Sequence, residues 1–127
     1  MTTERQGGKT ILVVEDDAAT REALAMILAA EGFAAVGAAN GQEALSRLRG
    51  DIHADLILLD LMMPIMDGWQ FRREQVRDPA LASIPVVILS ADGNVNQKAA
   101  ALRSAGYLQK PVDPEELLQV IRRQFPG

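Results

Sequence analysis

Six side chains that can take part in chemistry stand directly after short aliphatic runs in this sequence. They comprise four carboxylates, one hydroxyl and one amine, namely Glu15, Asp16, Asp17, Asp60, Ser90 and Lys110. If the runs are parallel strands, their carboxyl ends meet at one edge of a sheet, which is where such sheets bind ligands. The sequence therefore predicts an acidic site that also contains one hydroxyl and one ammonium group.

The crowding of carboxylates at this site requires compensation. Two like charges about 4 Å apart repel each other by ~4 kcal/mol at an effective dielectric constant of about 20. Either one carboxyl group is protonated or a cation is bound. The chain has no Cys and a single His, His53, and oxygen ligands without sulfur or imidazole favour Mg²⁺.

An aspartate beside Mg²⁺ and a lysine has the parts needed for phosphoryl transfer. Aspartate is a known nucleophile that forms an aspartyl-phosphate, and the transition state mainly requires alignment and charge neutralisation. The metal and Lys110 would supply that neutralisation, and the Ser90 hydroxyl could donate a hydrogen bond to a phosphoryl oxygen. The residues alone therefore suggest that Asp60 is phosphorylated.

Five aliphatic runs predict the strands that position these groups. They are rich in Val, Ile and Leu and do not alternate with polar residues, which is typical of strands covered on both faces; they span Ile11–Val14, Phe33–Ala39, Leu56–Leu59, Val86–Leu89 and Tyr107–Leu108. Helical patterns lie between them. Three begin at capping signals, at Asp17, Asn40 and Asp113, and weaker patterns cover 69–77 and 93–105. This alternation predicts a parallel sheet with helices on both faces.

Length and composition indicate one globular domain. The 127 residues are 48% hydrophobic and carry a formal net charge of −4, and at roughly 150 residues per domain one domain is expected.

The charge argues against a nucleic-acid partner. The longest apolar run, Ala23–Ala30, is far shorter than the ~20 residues that span a membrane, and the polar start resembles no signal peptide. We expect a flexible tail over 1–8, a domain over 9–127 and a cytoplasmic location.

Four motifs, taken together, resemble the response regulator receiver domains of two-component signalling, in particular the chemotaxis-regulator type. They are Ile11-Leu-Val-Val-Glu-Asp-Asp17, Leu58-Leu-Asp-Leu-Met-Met-Pro-Ile-Met-Asp-Gly68, Val87-Ile-Leu-Ser-Ala91 and Tyr107-Leu-Gln-Lys-Pro111. Each motif is weak alone, but the four in this order are highly specific. The resemblance implies a flavodoxin-like, doubly wound (βα)₅ fold with strand order 2-1-3-4-5.

The resemblance also implies a role for each matching residue. Asp60 corresponds to the phosphoacceptor, and Mg²⁺, with Mn²⁺ as an alternative, is expected on Glu15, Asp16, Asp60 and the backbone carbonyl of Met62. Phosphate binding and switching are expected of Ser90, Ala91, Lys110 and Tyr107. The Lys110–Pro111 peptide bond is usually cis in the family, and Asp17 is not expected to be a ligand.

The family's partners are implied in the same way. A histidine kinase or histidine phosphotransfer protein is expected to donate the phosphoryl group, and the surface of the fourth helix, fifth strand and fifth helix is expected to bind a downstream protein. The chain would catalyse only its own phosphorylation and dephosphorylation. It would be a monomer or a weak, phosphorylation-dependent dimer, with neither nucleic acid nor membrane as a partner.

Two features depart from the usual family pattern. Ser90 and Lys110 are twenty residues apart, which is slightly short for the family and predicts a shorter fourth helix or a tighter loop. Met62 is apolar where many relatives carry a polar side chain that can influence the attacking water. We therefore expect phosphorylated Asp60 to persist longer than in those relatives.

Two other functions fit parts of the sequence. A Mg²⁺-dependent phosphatase or phosphotransferase with an aspartyl-phosphate intermediate usually needs a second Asp two residues after the nucleophile, where this chain has Met62. A flavodoxin-type electron carrier needs hydroxyls and backbone amides after the first strand, where this chain has three carboxylates, Glu15, Asp16 and Asp17. His53 precedes the third strand in a loop and is expected to be a surface residue.

Overall fold

The computed structural model describes residues 8–125, and these form five strands and five helices that alternate along the chain. The strands are β1 (Thr10–Val14), β2 (Ala34–Ala38), β3 (Leu56–Asp60), β4 (Val86–Ser90) and β5 (Gly106–Gln109). The helices are α1 (Ala18–Ala30), α2 (Gly41–Arg49), α3 (Gly68–Arg77), α4 (Val95–Ala101) and α5 (Pro114–Arg123). The expected tail falls almost entirely on residues 1–7, which lie outside the described residues.

The strands form one parallel sheet in the order β2-β1-β3-β4-β5. The predicted fold class and strand order are thereby confirmed. Every residue of β3 and β4 is buried, which explains why these strands read as continuous apolar runs. Because all strands are parallel, the residues that follow β1, β3, β4 and β5 lie at the same edge of the sheet.

Alternate residues of the strands pack into two cores, one on each face of the sheet. On one face, Leu12 and Ile57 pack in a cluster with side chains of α2, α3 and α4, including Phe71. On the other face, Ile11 and Leu58 pack in a cluster with side chains of α1 and α5. The two cores cover both faces of the central strands, whose carboxyl ends lead into the loops that carry the polar residues.

Four of the five helices in the described part of the chain begin at side-chain caps, whereas α4 has no such cap. Asp17, Asn40 and Asp113 each accept a hydrogen bond from the backbone amide three residues later, at 2.9–3.0 Å, as the sequence predicts. Asp67 caps α3 in the same way and forms a reciprocal capping box with Gln70. The Asp-x-x-Gln spacing was present in the sequence, although the apolar pattern of this helix is irregular.

Helix α4 has seven residues and is the shortest of the five helices in the described part of the chain. Its carboxyl end is bound by Arg72 of α3, whose guanidinium donates to the carbonyl oxygens of Leu102 and Arg103, each at 3.0 Å. Arg103 adopts a positive φ of 53°. These bonds satisfy carbonyl groups that a helix end otherwise leaves without partners.

Between residues 8 and 125, no helix combines the length and the apolar character needed to cross a membrane.

Candidate functional site

Three carboxylates meet at the carboxyl edge of the sheet. One oxygen each from Glu15, Asp16 and Asp60 lies within 4.8 Å of the others. Glu15 is 1% exposed and Asp60 is 3% exposed, whereas Asp16 is exposed. The structure therefore brings together three of the predicted acidic residues, and two of them are buried. Asp17 lies outside this group and caps α1.

Lys110 supplies the positive charge at the acidic group. Its Nζ lies 3.2 Å from Oδ2 of Asp60 and 2.5 Å from Oε1 of Glu15. Burial by itself lowers the pKa of the Lys110 ammonium, but the two adjacent carboxylates outweigh burial and raise that pKa above its ordinary value. Lys110 is therefore positively charged at neutral pH and compensates part of the negative charge.

Glu15 is held from several directions. Its backbone amide donates to the carbonyl oxygen of Ala38 in β2 at 3.0 Å, and its Oε2 accepts a hydrogen bond from the amide of Asp17 at 3.2 Å. Its Oε1 is buried and, although close to the Lys110 ammonium, accepts no well-directed hydrogen bond from any described residue. This buried oxygen lies against the Lys110 ammonium, and Glu15 has an oxygen within 4.8 Å of two further carboxylates, a setting that suits a divalent cation.

The donor set fits magnesium. It consists only of oxygen atoms, from one exposed and two buried carboxylates, and Mg²⁺ prefers such ligands while keeping some of its waters. Asp60 uses Oδ1 to accept a hydrogen bond from the Met62 amide at 3.2 Å. This bond orients the Asp60 carboxylate at the end of β3.

Ser90 and Tyr107 lie on the two neighbouring strands β4 and β5. Ser90 is buried, and its Oγ accepts a hydrogen bond from the Asp92 amide at 3.0 Å, so its own proton can be donated elsewhere. The Tyr107 side chain is 47% exposed. Ala91 follows Ser90 and is exposed, and the peptide bond between Lys110 and Pro111 is cis.

The loop after Ser90 contains an ion pair that could not be predicted from the sequence. Lys98 of α4 lies 2.6 Å from Oδ2 of Asp92, and Oδ1 of Asp92 accepts from the Asn94 amide. The hydrogen bond from Lys98, with that from Asn94, lowers the pKa of the Asp92 carboxyl group below its ordinary value. A separation of six residues across a loop matches no regular helix or strand spacing, so the sequence did not indicate that the two side chains meet.

Gly68 allows the backbone to approach the site closely. A Cβ atom at this position would lie 2.8 Å from the carbonyl oxygen of Asp60 and 2.8 Å from Cα of Leu61. In the sequence, Gly68 appears only as the last residue of the motif that begins at Leu58. The structure shows that Gly68 starts α3 directly against the end of β3, and that its amide donates to the carbonyl of Leu61.

Comparison with known protein families identifies this arrangement. The model of the response regulator receiver domain matches residues 11–122. The chain belongs to this family. Receiver domains are signalling domains of two-component systems. The strand order described above is that of a receiver, and the acidic group is consistent with the acidic pocket of one.

Individual relatives agree with this assignment. The chain is 38% identical over 126 residues to the phosphate regulon transcriptional regulatory protein PhoB of Pseudomonas aeruginosa, and the match covers 94% of this chain and 55% of that protein. It is also 38% identical over 115 residues to an uncharacterised 14.6 kDa protein of Leptolyngbya boryana, with 89% of this chain and 87% of that protein covered. Several curated relatives are longer proteins, of which this receiver spans about half.

Solved structures share the fold. The chemotaxis response regulator CheY4 of Vibrio cholerae superposes with a TM-score of 0.84 at 28% identity, covering 92% of this chain and 98% of that one. A response regulator receiver protein from Pseudomonas putida superposes with a TM-score of 0.83 at 31% identity, covering 91% and 96%. These receivers have the same architecture over almost their whole length.

Proposed function

We propose that this receiver accepts a phosphoryl group on Asp60 from a phosphohistidine of a histidine kinase or phosphotransfer protein. The observation that carries the proposal is the geometry of Asp60, a buried carboxylate 3.2 Å from the Lys110 ammonium and grouped with Glu15 and Asp16. A nucleophile needs this combination of orientation and nearby positive charge for phosphoryl transfer. As in other receivers, partner proteins would bind the phosphorylated and the unphosphorylated form with different affinities.

In the proposed transfer, an oxygen of Asp60 attacks phosphorus while the bond between phosphorus and the donor nitrogen breaks. The electron pair of that bond leaves with the imidazole. Lys110 remains protonated and neutralises phosphoryl oxygens, and Ser90 donates the hydroxyl proton that its present hydrogen bond leaves free. Mg²⁺, held by Glu15, Asp16, Asp60 and the Met62 carbonyl, would supply further neutralisation of negative charge.

We propose that the structural change caused by phosphorylation begins with the movement of Ser90 toward the phosphoryl group. Tyr107 is half exposed on the adjacent strand, so its ring can turn inward once Ser90 has moved. The surface formed by α4, β5 and α5 would then change its affinity for a partner. A few kcal/mol of preference for the phosphorylated arrangement is enough to shift most of the population.

Acetyl phosphate tests the proposal directly. The protein is incubated with acetyl phosphate with and without MgCl₂, and intact mass is measured. We expect a mass increase of one phosphoryl group only with Mg²⁺, and borohydride reduction, which converts an acyl phosphate to an alcohol, should locate it at Asp60. Absence of modification, or modification at another residue, contradicts the proposal.

Met62 allows a prediction about the lifetime of the phosphorylated state. Met62 is 72% exposed, two residues after the phosphoacceptor, and its thioether has no hydrogen-bond donor and is only a weak acceptor. We expect Met62→Asn to lose the phosphoryl group faster than the native protein, because an amide can orient an attacking water. The increase should stay well below the ~100-fold that a true general base supplies. Loss of phosphate is followed by intact mass after removal of acetyl phosphate.

Ile65→Asn is the matched control for this prediction. It introduces the same side chain three residues later, at a position that is exposed and has a positive φ of 69°, a conformation that Asn adopts more readily than Ile. We expect its rate of phosphate loss to equal that of the native protein. An equal or slower loss in Met62→Asn would contradict the role given to position 62.

A further inference from the structure

Arg21 of α1 reaches back to the loop that carries the acidic residues. Its Nη1 donates a hydrogen bond of 2.7 Å to the backbone carbonyl oxygen of Glu15, six residues earlier. The backbone amide of Glu15 is bound separately, by the carbonyl of Ala38 at 3.0 Å. Both backbone groups of Glu15 are therefore held, one by the edge strand β2 and one by Arg21.

Gly37 provides the space through which the Arg21 side chain passes. A Cβ atom at position 37 would lie 3.0 Å from Cδ of Arg21 and 3.3 Å from both its Cγ and its Nε. Distances this short require the arginine side chain to move. The glycine at the fourth position of β2 is thus matched to the arginine that lies against it, since glycine in a strand often marks a close approach of another group.

The bond from Arg21 acts on the orientation of the acidic group. Glu15 and Asp16 are consecutive, so the peptide group whose carbonyl Arg21 holds connects the two residues directly. Both carboxylates point from this short loop toward Asp60. Residues that orient metal ligands through hydrogen bonds typically affect metal affinity by 10–100-fold.

We propose that Arg21 is a positioning residue of the magnesium site, and that Gly37 is required there because it admits the Arg21 side chain. This inference rests on the proposed function, because it assumes that Glu15 and Asp16 bind Mg²⁺. The guanidinium acts through the loop: it holds the Glu15–Asp16 peptide group, and the peptide group presents the two carboxylates. No contact between Arg21 and the metal is involved.

Positioning and simple electrostatics predict opposite effects on magnesium affinity. If Arg21 acted only through its charge, its removal would strengthen Mg²⁺ binding, because a nearby positive charge repels the cation. If Arg21 positions the loop, its removal weakens binding. Arg21→Lys keeps the charge, but its ammonium ends one bond short of the position of Nη1, which donates the bond to Glu15, and Gly37→Ala changes no charge at all. Both variants are therefore expected to weaken binding only if positioning is the cause.

The test is calorimetric titration of MgCl₂ into the unphosphorylated protein and its variants. We expect Arg21→Ala to bind Mg²⁺ about tenfold more weakly, with Gly37→Ala and Arg21→Lys also weaker. Gly37→Ala should have little further effect in the Arg21→Ala background, since the clash is then gone. Arg47→Ala is the matched control, because Arg47 also approaches Gly37, donating to its carbonyl at 3.5 Å, and has no described hydrogen bond to Glu15.

Each outcome of this titration decides the proposal. Thermal melting identifies variants that do not fold, and if Arg21→Ala is among them, Arg21→Lys and Gly37→Ala provide the result. Affinity equal to or tighter than native in folded Arg21 variants, or an undiminished effect of Gly37→Ala in the Arg21→Ala background, overturns the role of Arg21 while the magnesium site stands. Absence of Mg²⁺ binding in the native protein overturns the magnesium site and this inference together.

Discussion

Replacing Asp60 with Asn is expected to abolish phosphorylation by acetyl phosphate without unfolding the receiver. An amide is not a nucleophile for phosphorus at neutral pH, and it contributes no negative charge to the acidic group. The amide oxygen can still accept the hydrogen bond from the Met62 backbone, which is 3.2 Å long in the native protein. The change removes one of several mutually repelling carboxylates, which offsets the loss of the ion pair between Asp60 and Lys110. The melting temperature in the absence of Mg²⁺ should therefore stay close to that of the native protein.

Two measurements check this expectation, intact mass after treatment with acetyl phosphate and Mg²⁺, and thermal melting. Asp17→Asn is the matched control, because Asp17 lies next to the acidic group without belonging to it. Asn replaces Asp well at a helix N-cap, so the cap of α1 is kept. We expect Asp17→Asn to be phosphorylated normally. Phosphorylation of Asp60→Asn, or its loss in Asp17→Asn, would show that the phosphoacceptor is assigned incorrectly.

Gly68→Ala is expected to destabilise the receiver by about 1–3 kcal/mol, the usual cost of inserting a methyl group into a filled space. The new Cβ would lie 2.8 Å from the carbonyl oxygen of Asp60 and from Cα of Leu61. These are backbone atoms, which cannot move away as the end of a flexible side chain can. The end of β3 or the start of α3 must shift, and we therefore expect weaker Mg²⁺ binding as well.

Urea unfolding measures the change in stability, and calorimetric titration of MgCl₂ measures the change in affinity. Gly93→Ala is the control: no described atom outside its chain neighbours lies within 4 Å of a Cβ atom at this position. Its stability should be unchanged or slightly higher, because alanine reduces the conformational freedom of the unfolded chain. A Gly68→Ala variant as stable as Gly93→Ala would contradict the close approach at the phosphoacceptor strand.

Much of the fold could be predicted from local sequence patterns. The buried strands were visible because their residues are apolar on both faces, and the caps at Asp17, Asn40 and Asp113 were visible because capping acts over three residues. Helix α3 was harder to predict, since its apolar residues are irregularly spaced. Its capping box depends on Asp67 and Gln70 and could have been found by spacing alone.

The contents of the acidic site also followed from local sequence. The carboxyl ends of parallel strands lie at one edge of the sheet, so the residues after each run were expected to meet there. Glu15, Asp16, Asp60 and Lys110 do meet. The two departures from the family pattern, the short segment before β5 and the apolar Met62, were also read from the sequence.

The sequence by itself determined which chemical groups reach the site, because residue type and the alternation of strands and helices along the chain are local or periodic properties. Tertiary structure alone decided how those groups are held. The bond from Arg21 to the Glu15 carbonyl, the space left by Gly37, the approach of Gly68 to Asp60 and the binding of Arg72 to the end of α4 depend on how whole elements pack. Differences in distance of a few tenths of an ångström decide such contacts. The contacts form only when the chain has folded.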